Sequence, residues 1–532
     1  MPDGSKAASN KSFVDQLLRP ACYPHPTDTI ERLETHISWV LLAGDFAYKI
    51  KKPVSLGFVD FSTLQSRRHF CEEELRLNRR TAPDLYLDVV PITGTAEDPR
   101  MGGTGAAIDY AVKMHRFPQE ALLDRVAKAG DLTTAQVEAF ARSVAGFHER
   151  VARADADGAF GSPREILAEA VDNFAQLEHL DQPGDTREAR QALCSWTLQE
   201  FNRLEGAFAR RRHDGFVREC HGDLHLGNVA LLAGEPVAFD AIEFNAGFRW
   251  IDVMNEVAFP VMDLVHHGLP RLAHRFIDAY LDETGDFAGL KVLRFYLVYR
   301  AMVRAKVSGI RAHQPGIGED DRERSARACR GHLELALRLS RHGHPALIAM
   351  HGLSGSGKTT VSEELVDALG AVRLRSDVER KRLYGLERDA HAHAAPGDGI
   401  YTPEADRITY ARLASLAEQV LEAECPVIVD AAFLKLAWRK YFREFARTRG
   451  APFVLVACAA PEAVLRERVA HREQEGADAS DAGIEVLERQ LASIEPLTEE
   501  EQVGALIVET AETGSPGKAI RDIATRLRIT PA

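Results

Sequence analysis

The chain has 532 residues, of which 45% are hydrophobic and 27% are charged, and its formal net charge is -13. This length predicts two to four domains. The acidic balance argues against a general nucleic-acid or anionic-membrane surface, although it permits a local basic pocket. No run of about 18 apolar residues occurs, and the seven cysteines form no CxxC pair. We therefore expect a cytoplasmic protein without a transmembrane helix, disulfide framework or structural zinc.

Sequence patterns divide the chain into four segments. Residues 1–117 contain stretches with the period of strands, such as WVLLAGDFAYKI and AIDYAVKMHRF, separated by a charged helix, SRRHFCEEELRLNRR. Residues 118–335 are mostly helical, and residues 336–345 are a predicted linker. From 346 to 532 strand, loop and helix alternate, which predicts a parallel sheet flanked by helices.

A glycine-rich motif, GLSGSGKTT, follows the apolar strand ALIAM and precedes an amphipathic helix. It fits the pattern G-x-x-x-x-G-K-[ST] of a phosphate-binding loop, in which glycines let backbone amides point at phosphate oxygens. The lysine would reach the outer phosphates, and the threonine after it would offer its hydroxyl to Mg²⁺. The predicted nucleotide-binding residues are Gly352, Gly355, Ser356, Gly357, Lys358, Thr359 and Thr360, with Thr359 also a metal ligand.

Two carboxylates follow strands of the same segment. PVIVDAAF ends an apolar strand at Asp430, which could hold Mg²⁺ or simply cap the strand. Asp377, in LRSDVERKRL, would emerge at the C-terminal edge of the sheet, where ligands bind in open α/β folds. We predict that Asp430 is a metal ligand and that Asp377 is a base or orienting group for an acceptor hydroxyl.

Arg468 and Arg472 lie four residues apart in APEAVLRERVAHRE, on one face of a predicted helix. They could close over a transferring phosphate and stabilise its charge, or belong to a solvated charged helix. Residues 345–532 resemble the P-loop kinase branch of zeta-toxin-like and polynucleotide-kinase-like proteins, through GLSGSGKTT, SDVERK, VIVDAAF and PEAVLRERVAHR. The resemblance implies phosphoryl transfer from a nucleoside triphosphate to a hydroxyl, and it favours a catalytic role for both arginines.

A second set of polar residues lies in HGDLHLGNVALLAGEPVAFDAIEF, residues 221–244. A kinase catalytic loop places a carboxylate on the acceptor hydroxyl, an Asn five residues later on a metal, and a later Asp on the main Mg²⁺. Asp223, Asn228 and Asp240 have this order and spacing. The constellation resembles the aminoglycoside phosphotransferase and choline kinase family, relatives of the protein kinases, and the resemblance makes His221 a structural residue of the loop.

Upstream residues resemble the parts of that family that hold the ATP phosphates. AYKIKKP resembles the strand with the phosphate-pairing lysine. Lys49 and Lys51 would share one face of that strand, so either could serve, and the YKI context favours Lys49. FCEEELRLN would be the following helix, and we favour Glu73 as the lysine's partner. VKMHRFP would be the hinge that reads adenine.

The whole chain resembles bacterial proteins described as aminoglycoside phosphotransferase-family enzymes fused to an AAA-type ATP-binding domain. The resemblance implies a bilobal kinase-like half and a P-loop half, both using ATP and Mg²⁺ to phosphorylate hydroxyl groups of small molecules such as sugars, amino alcohols or aminoglycosides. Two alternatives remain: one half is a silent or regulatory ATP-binding switch, or the second half is a polynucleotide 5′-kinase or a nucleotide-sugar kinase. We expect small-molecule partners, with no membrane and no nucleic acid, and the oligomeric state stays open.

Overall fold

The computed structural model describes residues 13–56, 59–180, 186–314, 316–386, 400, 402–475, 483–511, 516–527 and 529. The chain divides into two units, Met1–Ile166 with Ala209–Asp263, and Leu167–Phe208 with Leu264–Ala532. Among the helices of these described ranges, none is at once long and apolar enough to cross a membrane.

The first unit opens with strands around one long helix. These elements are β1 (Ile30–Glu34), β2 (Ser38–Ala43), β3 (Phe46–Lys51), β4 (Ser55–Leu56), β5 (Val59–Asp60), α1 (Leu64–Asn78), β6 (Tyr86–Gly94), β7 (Pro99–Met101) and β8 (Ala107–His115). Six strands form an antiparallel sheet in the order β1-β2-β3-β8-β6-β7. α1 packs on this sheet through Cys71, which lies in one buried cluster with Ala47 and Val112. The helix therefore faces the side chains of the central strand β3.

Helices and short strands follow. They are α2 (Leu123–Ala129), α3 (Thr134–Arg150), α4 (Pro163–Glu178), α5 (Thr186–His213), β9 (Val217–Glu219), β10 (Val229–Leu232), β11 (Glu235–Ala238), β12 (Trp250–Asp252) and α6 (Val253–His266). β10 and β11 form an antiparallel hairpin, and β9 pairs with β12. These two pairs fix both ends of the loop that begins at His221 and the segment after β11.

The second unit continues with helices and a parallel sheet. Its elements are α7 (Pro270–Thr284), α8 (Leu290–Ala312), α9 (Glu319–Leu339), β13 (Leu347–His351), α10 (Lys358–Leu369), β14 (Val372–Arg375), α11 (Ser376–Leu383), α12 (Pro403–Glu422), β15 (Val427–Asp430), α13 (Leu436–Thr448), β16 (Phe453–Ala459), α14 (Glu462–Glu475), α15 (Ile484–Ser493), α16 (Glu499–Gly504), β17 (Leu506–Glu509) and α17 (Pro516–Leu527). The sheet order is β14-β15-β13-β16-β17, and every pairing is parallel. All residues of β13 are buried, as expected for the central strand of a sheet covered on both faces.

The predicted fold class is confirmed: an antiparallel sheet with a helix-rich continuation comes first, and a parallel sheet flanked by helices comes second. The helices α7, α8 and α9, together with most of α4 and α5, belong to the second unit, although the sequence patterns group them with the first half. The predicted segment boundaries, at 117, 335 and 345, stay a prediction.

Candidate active sites

Two lysines of β3 share one buried carboxylate. Lys49 Nζ lies 2.8 Å from Glu74 Oε1 and also contacts Asp240. Lys51 Nζ lies 2.8 Å from Glu74 Oε2 and also contacts Glu243. Alternation along the strand puts both ammonium groups on one face. Glu74 therefore joins β3 to α1, and the lysines join β3 to the segment after β11.

Pairing outweighs burial for most of these charges. Desolvation opposes the Lys49 cation, but Asp240 and Glu74 hold its pKa well above the usual value. Desolvation also opposes the Glu74 anion, but Lys49 and Lys51 lower its pKa to about 2. For Glu243 burial prevails over the attraction of Lys51, and its pKa is raised. Lys49 and Glu74 are accordingly charged at neutral pH.

The structure corrects the predicted lysine partner from Glu73 to Glu74. The Glu73 carboxylate instead accepts a hydrogen bond from Arg76 Nε at 2.9 Å. Glu74 lies one residue further, about 100° around the helix, and is fully buried. The sequence does contain a pattern that favours Glu74: it lies three residues from both Cys71 and Leu77, on one face of the helix. All three residues are fully buried.

Asp223 and Asn228 are held together in the loop between β9 and β10. Asn228 Nδ2 donates to the Asp223 main-chain O at 2.9 Å and to its Oδ2 at 3.1 Å. His221 Nδ1 accepts the Asp223 N–H at 3.3 Å, and its Nε2 lies 2.9 Å from Phe239 O. Burial lowers the pKa of His221. The neutral ring thus ties the loop to the residue before Asp240, as the resemblance implied for His221.

Carboxylates of α6 fix the backbone of this loop. The Gly222 N–H donates to Glu256 Oε1 at 2.7 Å, and the Leu226 N–H donates to Asp263 Oδ2 at 2.9 Å. Glu256 also pairs with His148 Nε2 at 2.9 Å. Gly222 has a φ of +90°, and a Cβ there would lie 2.7 Å from a backbone carbonyl oxygen. The position therefore requires glycine.

Asp240 occupies an uncommon backbone conformation, with a φ of +65°. The Tyr86 hydroxyl accepts its N–H at 3.1 Å, and Asn78 Oδ1 accepts the N–H of Ala241 at 2.8 Å. A non-glycine residue in the left-handed region persists only where its surroundings hold it there. The side chains of Asp223 and Asp240 are 38% and 41% exposed, so both carboxylates are accessible to ligands.

The phosphate-binding motif forms a tight curve between β13 and α10. Gly352, Gly355 and Gly357 have φ values of +150°, +78° and +80°. A Cβ on Gly352 would lie 2.7 Å from the carbonyl oxygen of Cys458. Ser356 is buried, and its Oγ has no hydrogen-bond partner among the described residues. This cradle fits an anion, which backbone amides and such a hydroxyl would bind.

Lys358, Thr359 and Thr360 begin α10. Lys358 Nζ donates to the carbonyl oxygens of Gly352 and Leu353 at 3.0 and 2.9 Å, so its side chain bends back over the loop. Thr359 and Thr360 are exposed in the first turn, where the helix N-terminus favours phosphate. The structure brings the predicted residues of the motif together, and their roles stay a prediction.

Asp430 and Asp377 lie at the carboxyl ends of neighbouring strands. β15 ends at Asp430, and β14, its partner in the sheet, leads directly into α11 with Asp377 in the first turn. Asp430 Oδ2 accepts a hydrogen bond from Ser362 Oγ at 3.1 Å. Burial raises the pKa of the Asp377 carboxyl. The phosphate-binding loop also begins at the carboxyl end of a strand of this parallel sheet. Both carboxylates therefore lie at the same edge of the sheet as the loop.

Arg468 fastens the phosphate-binding loop to the end of β17. Its Nη1 donates to Gly355 O at 3.3 Å and to Thr510 Oγ1 at 3.0 Å, and its Nη2 donates to Thr510 O at 2.8 Å. Thr510 Oγ1 in turn donates to Ser356 O at 2.9 Å. No motif marks Thr510, so sequence reasoning missed it. Arg472 lies in the same helix, α14, but its side chain is outside the described part of the chain.

Both sets of residues fit Mg²⁺ and a triphosphate. Mg²⁺ takes oxygen ligands from one or two carboxylates together with substrate phosphates. The first unit offers the oxygens of Asn228 and Asp240, and the second unit offers those of Thr359 and Asp430. Each set lies beside a lysine of the type that pairs with phosphate oxygens.

Residues 347–497 match the family model described as an AAA domain. An uncharacterized protein of Mycobacterium tuberculosis is 29% identical over 462 residues, which are 86% of this chain and 90% of that protein. A protein of Mycobacterium bovis matches to the same extent. Among solved structures, an amicoumacin kinase is 15% identical with a TM-score of 0.40, over 64% of this chain and 96% of its own. A sugar kinase from Janibacter is 21% identical with a TM-score of 0.28, over 35% and 95%.

The family match and the site geometry together define the class. The second unit contains an AAA-type P-loop domain, as predicted. The first unit presents a buried Lys–Glu pair, an H-G-D loop with its Asn, and a strand-following Asp, which match in residue type and order the parts of a kinase-type phosphate-transfer site. The predicted class, an ATP-dependent phosphotransferase, is confirmed at this level.

Proposed function

We propose that the chain carries two phosphotransferase sites, one in each unit, that move the terminal phosphoryl group of ATP to hydroxyl groups of small molecules. One observation carries this proposal: the chain has two separate constellations that each combine a lysine with carboxylates, around Lys49 and Asp240 and around Lys358, Asp377 and Asp430. A single ATP site would leave one of these constellations without a use.

In the first site, Asp223 would orient the acceptor hydroxyl and accept its proton, because its carboxylate is accessible and its loop is fixed by α6. Asn228 and Asp240 would hold the metal, and Lys49, positioned by Glu74, would pair with phosphate oxygens. Mg²⁺-ATP supplies the phosphoryl group and neutralises the charge on its oxygens. The protein contributes position and electrostatics, without a covalent intermediate.

In the second site, the backbone amides of the phosphate-binding loop would cradle the phosphates, and Lys358 would swing from the two loop carbonyls onto the outer phosphates. Thr359 and Asp430 would hold the metal. Asp377, with its raised pKa, would orient the acceptor hydroxyl. Arg468 would keep the loop in shape and, with Arg472, stabilise charge on the transferring group.

The test is to incubate the protein with γ-labelled ATP and a metabolite extract, and to identify the compounds that gain label. Asp223→Ala should remove one group of labelled products, and Lys358→Ala should remove another. If one variant removes every product, the other half is a regulatory or silent ATP-binding unit. The proposal fails if no small molecule is labelled, or if label enters an oligonucleotide 5′-hydroxyl instead.

A further inference from the structure

Two arginines of β14, the buried Arg373 and the largely buried Arg375, pair with carboxylates of α7. Arg373 Nη2 lies 3.0 Å from Asp278 Oδ2, and their side chains are only 7% and 6% exposed. Arg375 Nη1 lies 3.4 Å from Asp282 Oδ2. The two aspartates are one helical turn apart and the two arginines are two strand residues apart, so each pair lies on facing sides of its element.

The same arginines lie beside the proposed metal ligand. Arg373 Nη1 is 3.5 Å from Ser362 Oγ, which donates to Asp430 Oδ2 at 3.1 Å. Arg375 is the register partner of Asp430 between β14 and β15. Burial opposes the Arg373 charge, but Asp278 and Asp430 outweigh it and raise its pKa. Asp278 and Asp430 therefore act on one guanidinium from different elements.

We propose that Asp278 and Asp282 are positioning residues of the P-loop site, which hold Arg373 and Arg375 away from Asp430 so that its carboxylate stays available to Mg²⁺. The inference rests on the proposed function, because it takes Asp430 as a metal ligand. Both aspartates come from α7, which precedes the phosphate-binding loop in the chain and carries no part of its motif.

A buried guanidinium that loses its anionic partner is strongly destabilised unless it finds another. Without the charge of Asp278, Arg373 retains Glu363, which is 37% exposed and lies 3.3 Å from its Nη1, and the buried Asp430, on the other side of Ser362. Solvent screens the pair with the exposed Glu363, so the guanidinium would shift toward Asp430. The guanidinium and the metal ion would then compete for the same oxygen atoms. Changes to the residues that support metal ligands typically alter metal affinity about 10- to 100-fold.

The test uses the full chain with Asp240→Asn, which disables the proposed metal ligand of the first unit. Binding of a fluorescent ADP analogue is followed while Mg²⁺ is titrated, and the Mg²⁺ concentration for half-maximal binding is recorded. Asp278→Asn should raise that concentration about tenfold or more, and Asp282→Asn should act in the same direction through Arg375. Adding Arg373→Met to Asp278→Asn should return the titration toward that of the parent, because no guanidinium is left to compete.

Asp367→Asn is the matched control. Asp367, on α10, pairs with Arg275 of the same helix α7, and its link to Arg373 is indirect, through Arg275 and Glu363. Its titration should equal the parent's, and thermal unfolding should show that each variant is folded. The proposal would be overturned if Asp278→Asn and Asp367→Asn required the same Mg²⁺ concentration for half-maximal binding. It would also be overturned if Arg373→Met did not reverse the higher Mg²⁺ requirement of Asp278→Asn.

Asp430→Asn separates this inference from the proposed function. If Asp430→Asn leaves the Mg²⁺ titration unchanged, the proposed metal role of Asp430 is itself wrong, and the positioning role falls with it. If Asp430→Asn weakens the response to Mg²⁺ while Asp278→Asn and Asp282→Asn do not, the metal role stands and only the positioning role is overturned.

Discussion

Glu74 forms an ion pair with each of the two lysines of β3. Each of its carboxylate oxygens lies 2.8 Å from one ammonium group, and the side chain is fully buried. Lys49 also contacts Asp240, and Lys51 also contacts Glu243. The Glu74 carboxylate is therefore the centre of a network that reaches Asp240, the proposed metal ligand. Removing it would leave two buried cations with fewer partners.

Glu74→Gln should therefore lower the free energy of unfolding by about 3–5 kcal/mol, as expected for a buried ion pair that loses one member. Glu73→Gln is the matched control, and it should change that free energy by no more than about 1 kcal/mol, because Glu73 pairs with a half-exposed Arg76. Its other partner, Arg249 at 3.5 Å, keeps the closer carboxylate of Glu219 at 3.2 Å. Urea denaturation followed by circular dichroism measures both. A larger loss for Glu73→Gln would contradict the corrected pairing.

The contribution of Glu74 should also depend on pH. Its pKa is about 2 in the folded protein against an ordinary value of 4.5. A lowered pKa means that the stabilisation is complete above the ordinary value and is lost as the pH falls toward the folded value. The stability deficit of Glu74→Gln relative to the unsubstituted protein should thus be full at neutral pH and shrink below pH 4.5. Urea denaturation at a series of pH values checks this, and a deficit that grows on acidification would refute it.

The choice between Glu73 and Glu74 shows what local sequence leaves open. Asp223 and Asn228 could be expected to lie together because their spacing within a short motif is fixed, and Asn228 Nδ2 donates to Asp223 Oδ2. Two adjacent glutamates in one helix both fit the lysine's predicted partner, and only the packing of α1 on the sheet decides which one faces β3. The contact between Glu243 and Lys51 was not predicted, because it joins distant parts of the chain that no short motif links.

Among the elements, the phosphate-binding loop has a shape that three glycines with positive φ allow. At Gly352 a side chain would meet the carbonyl of Cys458, near the end of β16, and Ser356. Contiguous motifs of this kind can be predicted from sequence together with their flanking strand and helix. The contacts that support them come from elsewhere: α6 holds the H-G-D loop, and Arg468 with Thr510 holds the phosphate-binding loop.

Gly352→Ala should weaken nucleotide binding at the second site at least about tenfold, because strain of about 1–3 kcal/mol would reshape the loop. The added Cβ would lie 2.5 Å from Ser356 Oγ and 2.7 Å from the Cys458 carbonyl oxygen. Gly504→Ala is the matched control, since a Cβ at Gly504 would meet no described atom within 4 Å. Titration with a fluorescent ADP analogue in the Asp240→Asn chain measures both. Equal affinities for the two variants would contradict the proposed cradle.

For the whole molecule, the sequence predicted two halves of different fold, and the two larger sheets of the described residues, with six and five strands, are of the predicted kinds. The place of α7, α8 and α9 could not be predicted in the same way. Their amphipathic patterns show that one face is buried, but they do not show against what. Ion pairs such as Asp278–Arg373 and Arg294–Glu424 group these helices with the P-loop sheet, and such pairs link residues that no local motif connects.

The two proposed ATP sites should bind nucleotide independently of each other. Equilibrium binding of a non-hydrolysable ATP analogue with Mg²⁺ counts the molecules bound per chain. We expect two molecules for the unsubstituted protein, and one for Lys358→Ala and for Asp240→Asn separately. A count of one for the unsubstituted protein, or the loss of all binding in either single variant, would contradict the proposal.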